Sequence, residues 1–392
     1  MTDHALYTLS ISIAAALLAY ILLWSGLQTF NANPTKRFLR IWGKLILYYA
    51  AYTMPVWALL LLTGWMEGLF GLAWPVLLSA VAAMLLYFYT VIIQPNCLRL
   101  KHHAVDLGLS APLTVAVLAD LRIGLYSGKP RHIRKLVATI NDLAVDAVLI
   151  TGDWLYYPSA DLVGQLMLFK GVNKPVYTVM SSSDLRYQSL NTTKQGQPLL
   201  EDTLACAFDV LDINYIGQQC TALPLRGAAV PPSASRFDST KEPQRLAAHA
   251  SDAPVAVLYG WQDVPVQCGA IDAQNSVDKA KLGTKITHAH QPVIILASRF
   301  DSISDLPKSP QPRPLLITGA AKGTQKNIWQ AQKQQDIQRS DNDKGVLGNS
   351  RMGKQRGLYQ HASAQIFVSS GIGTRGLPFR LYRPTIDVLT IR

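Results

Sequence analysis

Residues 113–124 read LTVAVLADLRIG, and residues 129–154 read KPRHIRKLVATINDLAVDAVLITGDW. An apolar run at 113–119 stops on Asp120. Ile133, Leu136, Val137, Ile140 and Leu143 then recur at i, i+3, i+4 spacing, and a second apolar run at 147–151 stops on Gly152 and Asp153. A short apolar run, a helical period and another short apolar run predict a strand–helix–strand unit on a parallel sheet. Open α/β sheets place their ligand sites beyond the carboxyl ends of the strands. Asp120 and Asp153 are therefore the first candidate site residues, offered together to something charged.

Outside this unit the composition decides the setting. The 392-residue chain is 49% hydrophobic, only 16% charged, and carries a formal net charge of +12. So little charge predicts membrane segments, and the positive excess suits an anionic partner. Apolar segments at 5–27, 41–65 and 69–93 are each long enough to cross a hydrocarbon core of about 30 Å at about 1.5 Å per residue. The leader MTDH has no basic region before the first segment, so a retained helix is expected rather than a cleaved signal. Lys36, Arg37, Arg40 and Lys44 flank the first connection, Glu67 the second, and Arg99, Lys101, His102 and His103 follow the third segment. The positive-inside rule then puts the N-terminus outside and the rest on the cytoplasmic side. Lys44 is expected to snorkel to the headgroups. Trp24, Trp42, Trp65, Tyr87 and Tyr89 read as interface anchors, and Trp42, Tyr48, Tyr49 and Tyr52 either line a protein contact or face lipid. Residues 1–103 form the anchor and 104–392 the soluble portion.

In the soluble portion, helices are predicted at 162–169 and 199–211. Strands are predicted at 176–180, 255–259, 293–297, 315–318, 365–368 and 387–391. Polar inserts at 231–254, 271–291 and 322–356 separate them. The last insert sets Lys322, Lys326, Lys333, Arg339, Lys344, Arg351, Lys354 and Arg356 against Asp336, Asp341 and Asp343. It reads as a solvated loop or as one touching anionic lipid. The four cysteines, Cys97, Cys206, Cys220 and Cys268, have neither metal-ligand spacing nor the density of a disulfide framework. A basic helix with interleaved aromatic residues is absent from the sequence, which argues against nucleic acid as partner.

Six stretches keep a common frame: AVLADLRIG, VLITGDW, VMSSSDLR, IILASRFD, LLITGAAKGTQ and VSSGIGTRGLPFRLYRP. In order and spacing they resemble a calcineurin-like metallophosphoesterase of the bacterial kind carried on N-terminal membrane helices. The resemblance runs from Leu113 to Ile391 and implies a four-layer α/β/β/α sandwich behind three transmembrane helices. It also implies the inner membrane, with the soluble domain on its cytoplasmic side.

The family holds two divalent ions through Asp, His and Asn ligands, and the ions activate a water for attack at phosphorus. Carried across position by position, the first aspartate is Asp120, but its histidine partner is Arg122. The bridging aspartate is Asp153. The asparagine and histidine of the third motif are Ser182 and Ser183, with Asp184 retained. The strand-end histidine is Ser298, followed by Arg299, and the last two histidines are Ala320 and Lys322. Only Asp120 and Asp153 remain as metal ligands. None of the eight histidines takes a vacated position. His288 and His290 precede the strand at 293–297 at the edge opposite the site, and His132 heads a helix as an exposed or capping residue.

Two readings of Arg122 and Lys322 stay open: a network with Asp120 and Asp153 that fills the former metal cavity, or side chains turned to solvent. An unpaired buried carboxylate costs several kcal/mol, which favours the network. Ser181, Ser182 and Ser183 beside Asp184 have no histidine base and read as a turn. The first functional expectation is a membrane-tethered pseudoenzyme. It would bind an anionic ligand through Arg122, Arg299 and Lys322, or dock a membrane protein partner, with membrane lipid alongside and no cofactor. The alternative is an active phosphohydrolase with a weakly held divalent metal (Mg, Mn, Fe or Zn) at Asp120 and Asp153, acting on a phosphodiester, nucleotide or lipid-linked phosphate.

Overall fold

The computed structural model describes residues 2–31, 38–68, 71, 73–126, 129–158, 162–184, 200–217, 220–223, 256–261, 292–298, 313–319, 357–360, 364–374, 377–380 and 382–392. Arg299, Lys322, His288, His290 and the three polar inserts lie outside the described residues.

Helices α1 (Thr2–Asn31), α2 (Phe38–Met66) and α3 (Trp74–Phe88) open the chain. The third continues through a π-turn and a 3-10 turn to Asn96, so that three helical spans are long and apolar enough to cross a membrane. Their side chains are apolar on nearly every face, as expected where lipid replaces water.

Two six-stranded mixed sheets follow. The first is built from β1 (Arg99–Val105), β2 (Leu113–Leu118), β4 (Ala147–Ile150), β6 (Val176–Thr178), β7 (Ile213–Tyr215) and β14 (Thr385–Ile391), in the order β1-β14-β2-β4-β6-β7. Strands β2, β4, β6 and β7 run parallel, while β14 is antiparallel to β2. The second contains β8 (Cys220–Leu223), β9 (Ala256–Trp261), β10 (Val293–Ala297), β11 (Leu315–Gly319), β12 (Gly357–Gln360) and β13 (Gln365–Ser369), in the order β12-β13-β11-β10-β9-β8. A two-stranded ribbon, β3 (Ile123–Gly124) with β5 (Leu155–Tyr156), stands apart from both.

Period-2 alternation explains how the layers meet. Along β2, Val115 and Val117 join Leu258, Ile294, Leu296, Ile317 and Phe367 in a core between the two sheets. Ala116 and Leu118 point the other way. They pack on Ile133, Leu136, Val137 and Ile140 of α4 (Pro130–Asp142) and on Leu204 and Phe208 of α6 (Leu200–Val210), with α5 (Leu162–Met167) adding Leu166. A strand buried on both faces reads as one continuous apolar run, which is why 113–119 looks as it does. The predicted unit is present as β2–α4–β4, with β4 parallel to β2 in direct register.

Two expectations change. Residues 99–105, read as a basic stretch after the third helix, form the edge strand β1, parallel to β14. Exposed Arg99, Leu100 and His102 alternate with deeper Lys101, His103 and Val105, and polar side chains hid that period. The expected boundary at 103 falls inside this strand. Lys44 does not reach for headgroups: its Nζ donates to the Tyr156 hydroxyl at 2.6 Å and lies 5.1 Å from that ring's centre. Ile41, Leu45, Tyr48 and Ala51 of α2 share a buried cluster with Tyr126 and Tyr156 of the folded domain. Tyr48 therefore lines an intramolecular contact, its ring 5.4 Å from that of Tyr126.

Candidate functional site

The carboxyl ends of β2 and β4 deliver their aspartates side by side, and backbone hydrogen bonds lock the two loops together. The Arg122 N–H donates to the Asp153 carbonyl at 2.9 Å and the Ile123 N–H to that of Trp154 at 2.7 Å, after which β3 and β5 pair. Asp120, Arg122 and Asp153 all take left-handed backbone angles, φ +52°, +49° and +51°. Aspartate tolerates this region better than most residues, but arginine rarely occupies it, and such strain gathers at sites that the surrounding fold over-determines. Glycine supplies the clearance. A Cβ on Gly371 (φ +75°) would lie 2.8 Å from the Asp120 Cβ, and one on Gly152 (φ +84°) 2.9 Å from the Ser298 Cβ.

Arg122 is the cation of the site. Its Nη2 lies 3.1 Å from Asp120 Oδ1 and 3.5 Å from Asp153 Oδ2, and its side chain is 11% exposed. The solvent-facing alternative for Arg122 is thereby excluded. Lys322 and Arg299, expected beside it, lie outside the described residues. Burial works against the Arg122 charge, but Asp120 and then Asp153 outweigh it and raise its pKa. The same guanidinium acts unequally on the two acids. Asp120 is pushed up to about 6 by burial, which Arg122 only partly offsets. Asp153 is held below the usual carboxylate range: burial pushes it up, but Arg122 and the Ser181 and Ser183 hydroxyls outweigh that push. We take Asp153 as the ionised partner of Arg122 and Asp120 as the acid nearer to titration.

The serines and Asp184 have definite partners. Ser183 Oγ donates to Asp153 Oδ1 and lies 2.9 Å from Ser181 Oγ. Asp184 is fully buried and accepts from the Leu155 N–H at 2.9 Å, the Ser181 N–H at 3.0 Å and the Ser181 hydroxyl at 2.9 Å. Burial, with Asp153 nearby, pushes Asp184 up to about 7 despite these donors. Its geometry is that of a scaffold pin, joining the loop after β6 to β5. Where a turn was expected at Ser181–Ser183, residues 182–184 are helical, and the Asp184 N–H donates to the Ser181 carbonyl at 3.0 Å.

Three features escaped sequence reading. Arg380 lies in the motif VSSGIGTRGLPFRLYRP, where the sequence assigns it no role. It donates from Nη1 and Nη2 to the carbonyls of Ile372 (2.7 Å), Gly371 (2.6 Å), Gly373 and Ser370, holding the 370–373 loop against Asp120. The hydroxyls of Thr151 and Ser298 are buried without hydrogen-bond partners among the described residues. A Cβ on Gly319 would approach Thr151 Oγ1 at 3.4 Å and Asp120 Oδ1 at 3.3 Å, so the Thr151 hydroxyl opens toward the same space as the acid. A second polar cluster lies between β1, β13 and β14, where Asp387 accepts from Ser369 Oγ at 2.6 Å and faces His103 Nε2 at 3.4 Å. Its carboxylate separates imidazole from hydroxyl, so the three do not form a nucleophile–base pair.

His132 neither caps α4, whose first residues lack a side-chain cap, nor lies fully exposed. Among the described residues, no group of three or more His, Cys, Asp or Glu side chains converges as a metal would require. No family model and no curated protein matches the chain.

Proposed function

We propose that this protein is a membrane-tethered, calcineurin-like phosphoesterase fold that no longer works as a phosphoesterase. It serves instead as a binding or assembly module for an anionic ligand or a protein partner at the bacterial inner membrane, with its folded domain on the cytoplasmic side. The supporting architecture is two facing mixed sheets with helices α4 and α6 packed on the first, behind three helices able to cross a membrane. The observation that carries the reading is the placement of Arg122. Its guanidinium lies within ion-pairing distance of both carboxylates that the family resemblance would give to metal ions.

That donor set does not fit a divalent pair. One guanidinium already pairs with both acids and repels a further cation, and Ser183 occupies Asp153 Oδ1. Arg122 is equally spent as an anion receptor, because its charge is consumed in place. The anion-binding role then falls to Arg299 and Lys322, the two other cations that the family resemblance assigns to the site.

Metal analysis of the protein purified from membranes, with a generic phosphodiester assay, tests the reading. Substoichiometric Mn, Fe, Zn and Mg and no turnover are expected. Near-stoichiometric metal with turnover that disappears in Asp153→Asn would overturn it.

A further inference from the structure

The seam where the folded domain meets the helix ends carries a second set of charges, distinct from the cavity. Lys129, just before α4, donates from Nζ to the Tyr52 hydroxyl at 2.9 Å. Lys135, two turns later, donates to the Asn96 carbonyl at 3.2 Å. From another part of the chain, the Arg380 N–H donates to the Thr90 carbonyl at 3.1 Å. Tyr52 belongs to α2, and Thr90 and Asn96 lie in the last turns of the third span. That span has 23 residues. At about 1.5 Å per residue it exceeds a hydrocarbon core of about 30 Å, so its last residues emerge among the headgroups. The contacts to Asn96 and Thr90 anchor α4 and the 377–380 segment at that level, whereas the contact to Tyr52 ties the start of α4 to the middle of α2.

What these segments expose there is not ordinary surface. Arg131 and Arg134 are exposed beside Lys129 and Lys135, and none of the four pairs with a carboxylate among the described residues. The crowding also depresses His132, through burial first and then Lys129, Arg131 and Lys135. Leu377 and Phe379 are 48% and 42% exposed next to Arg380. Basic side chains and exposed apolar side chains, held next to the end of the third span, match the two layers of a bilayer surface.

We propose that this rim is a docking face for anionic phospholipid. Arg131 and Arg134, with Lys129 and Lys135 behind them, bind lipid phosphates, while Leu377 and Phe379 enter the interfacial zone and hold the folded domain against the bilayer that its helices cross. Arg380 joins this face to the cavity, since it both touches α3's extension and holds the 370–373 loop beside Asp120. The inference rests on the membrane-tethered part of the proposed function and not on the state of the carboxylate cavity.

Hydrogen–deuterium exchange of the full-length protein in lipid nanodiscs tests it. One set of discs is phosphatidylcholine and the other is mixed with phosphatidylglycerol. Amides of 129–136 and 377–383 are expected to exchange several-fold more slowly in the anionic discs. High salt is expected to abolish the difference, as is the double variant Arg131→Glu/Arg134→Glu, whose thermal unfolding should match wild type because both side chains are exposed. Equal exchange in the two lipids overturns the proposal, as does a difference that survives the charge reversal. A chain that fails to enter discs overturns the tethering as well, whereas metal content and turnover report on the cavity alone.

Discussion

The Arg122 guanidinium stands 3.1 Å from the Asp120 carboxylate, both are buried, and both sit on left-handed backbone. The carboxylate and its counter-ion thus come from one short loop, two residues apart. Removing Arg122 leaves Asp120 and Asp153 without their ion-pair partner, with Arg380 as a weaker cation near Asp120. Arg122→Ala is expected to lose about 3–5 kcal/mol, the usual cost of orphaning a buried charge. Chemical denaturation in detergent measures it, and Arg122→Ala/Asp120→Asn should recover part of the loss. An Arg122→Ala protein as stable as wild type would remove the counter-ion role.

The acids predict a pH dependence of definite sign. Asp120 at about 6 and Asp184 at about 7 both lie above the ordinary carboxylate value of 3.8. The folded state therefore binds more protons than the unfolded chain between those values, and stability from these two groups falls as pH rises through that window. Asp153, held low, contributes the opposite slope, lost as pH falls below the ordinary carboxylate range. Asp120→Asn should remove the part of the decline between about pH 4 and pH 6 on the linkage relation. Unfolding midpoints across that range check it, and an unchanged slope in the variant would sink the assignment.

Two glycines with nearly the same φ separate conformation from contact. Gly108 has φ +70° with open space around it, whereas Gly371 has φ +75° with Asp120 Cβ and Oδ2 at 2.8 and 2.9 Å from a would-be Cβ. Gly108→Ala should cost about 1–2 kcal/mol for the left-handed conformation alone. Gly371→Ala should cost that plus about 1–3 kcal/mol of overpacking, measured by denaturation of both. Equal losses would mean that the 370–373 loop yields without disturbing Asp120.

The helix-to-domain seam can be loosened at one residue. Lys44→Met deletes the hydrogen bond to Tyr156 and the cation over the Tyr156 and Tyr157 rings while preserving length. A loss of about 1–2 kcal/mol is expected, together with faster protease cleavage near Tyr126 and Tyr156. Unchanged cleavage would show that the apolar part of the cluster suffices.

Much of the layout is legible in the sequence. The run at 113–119, the helical period at 133–140 and the run at 147–151 became β2, α4 and β4, because strands buried on both faces cannot hide their apolarity. The strands at 293–297, 315–318, 365–368 and 387–391 were found for the same reason. Elements without that signal were missed: β1 looks charged, and β3, β5 and β7 have only two or three residues each. At the site, Asp120 and Asp153 were readable from their place at strand ends. Arg380 was not, because it acts through backbone carbonyls, and carbonyls carry no residue identity.

The sequence by itself determined three apolar segments, alternating strands and helices, and two acids at neighbouring strand ends, because each depends on local periodicity and composition. Tertiary structure alone decided where the charges went. Arg122 turned inward to both acids, and Lys44 turned from the lipid surface to Tyr156. Both outcomes have one physical reason. A long cationic side chain reaches several partners, and it settles where burial of its own charge is offset by the acids or aromatic rings that distant parts of the chain bring within reach.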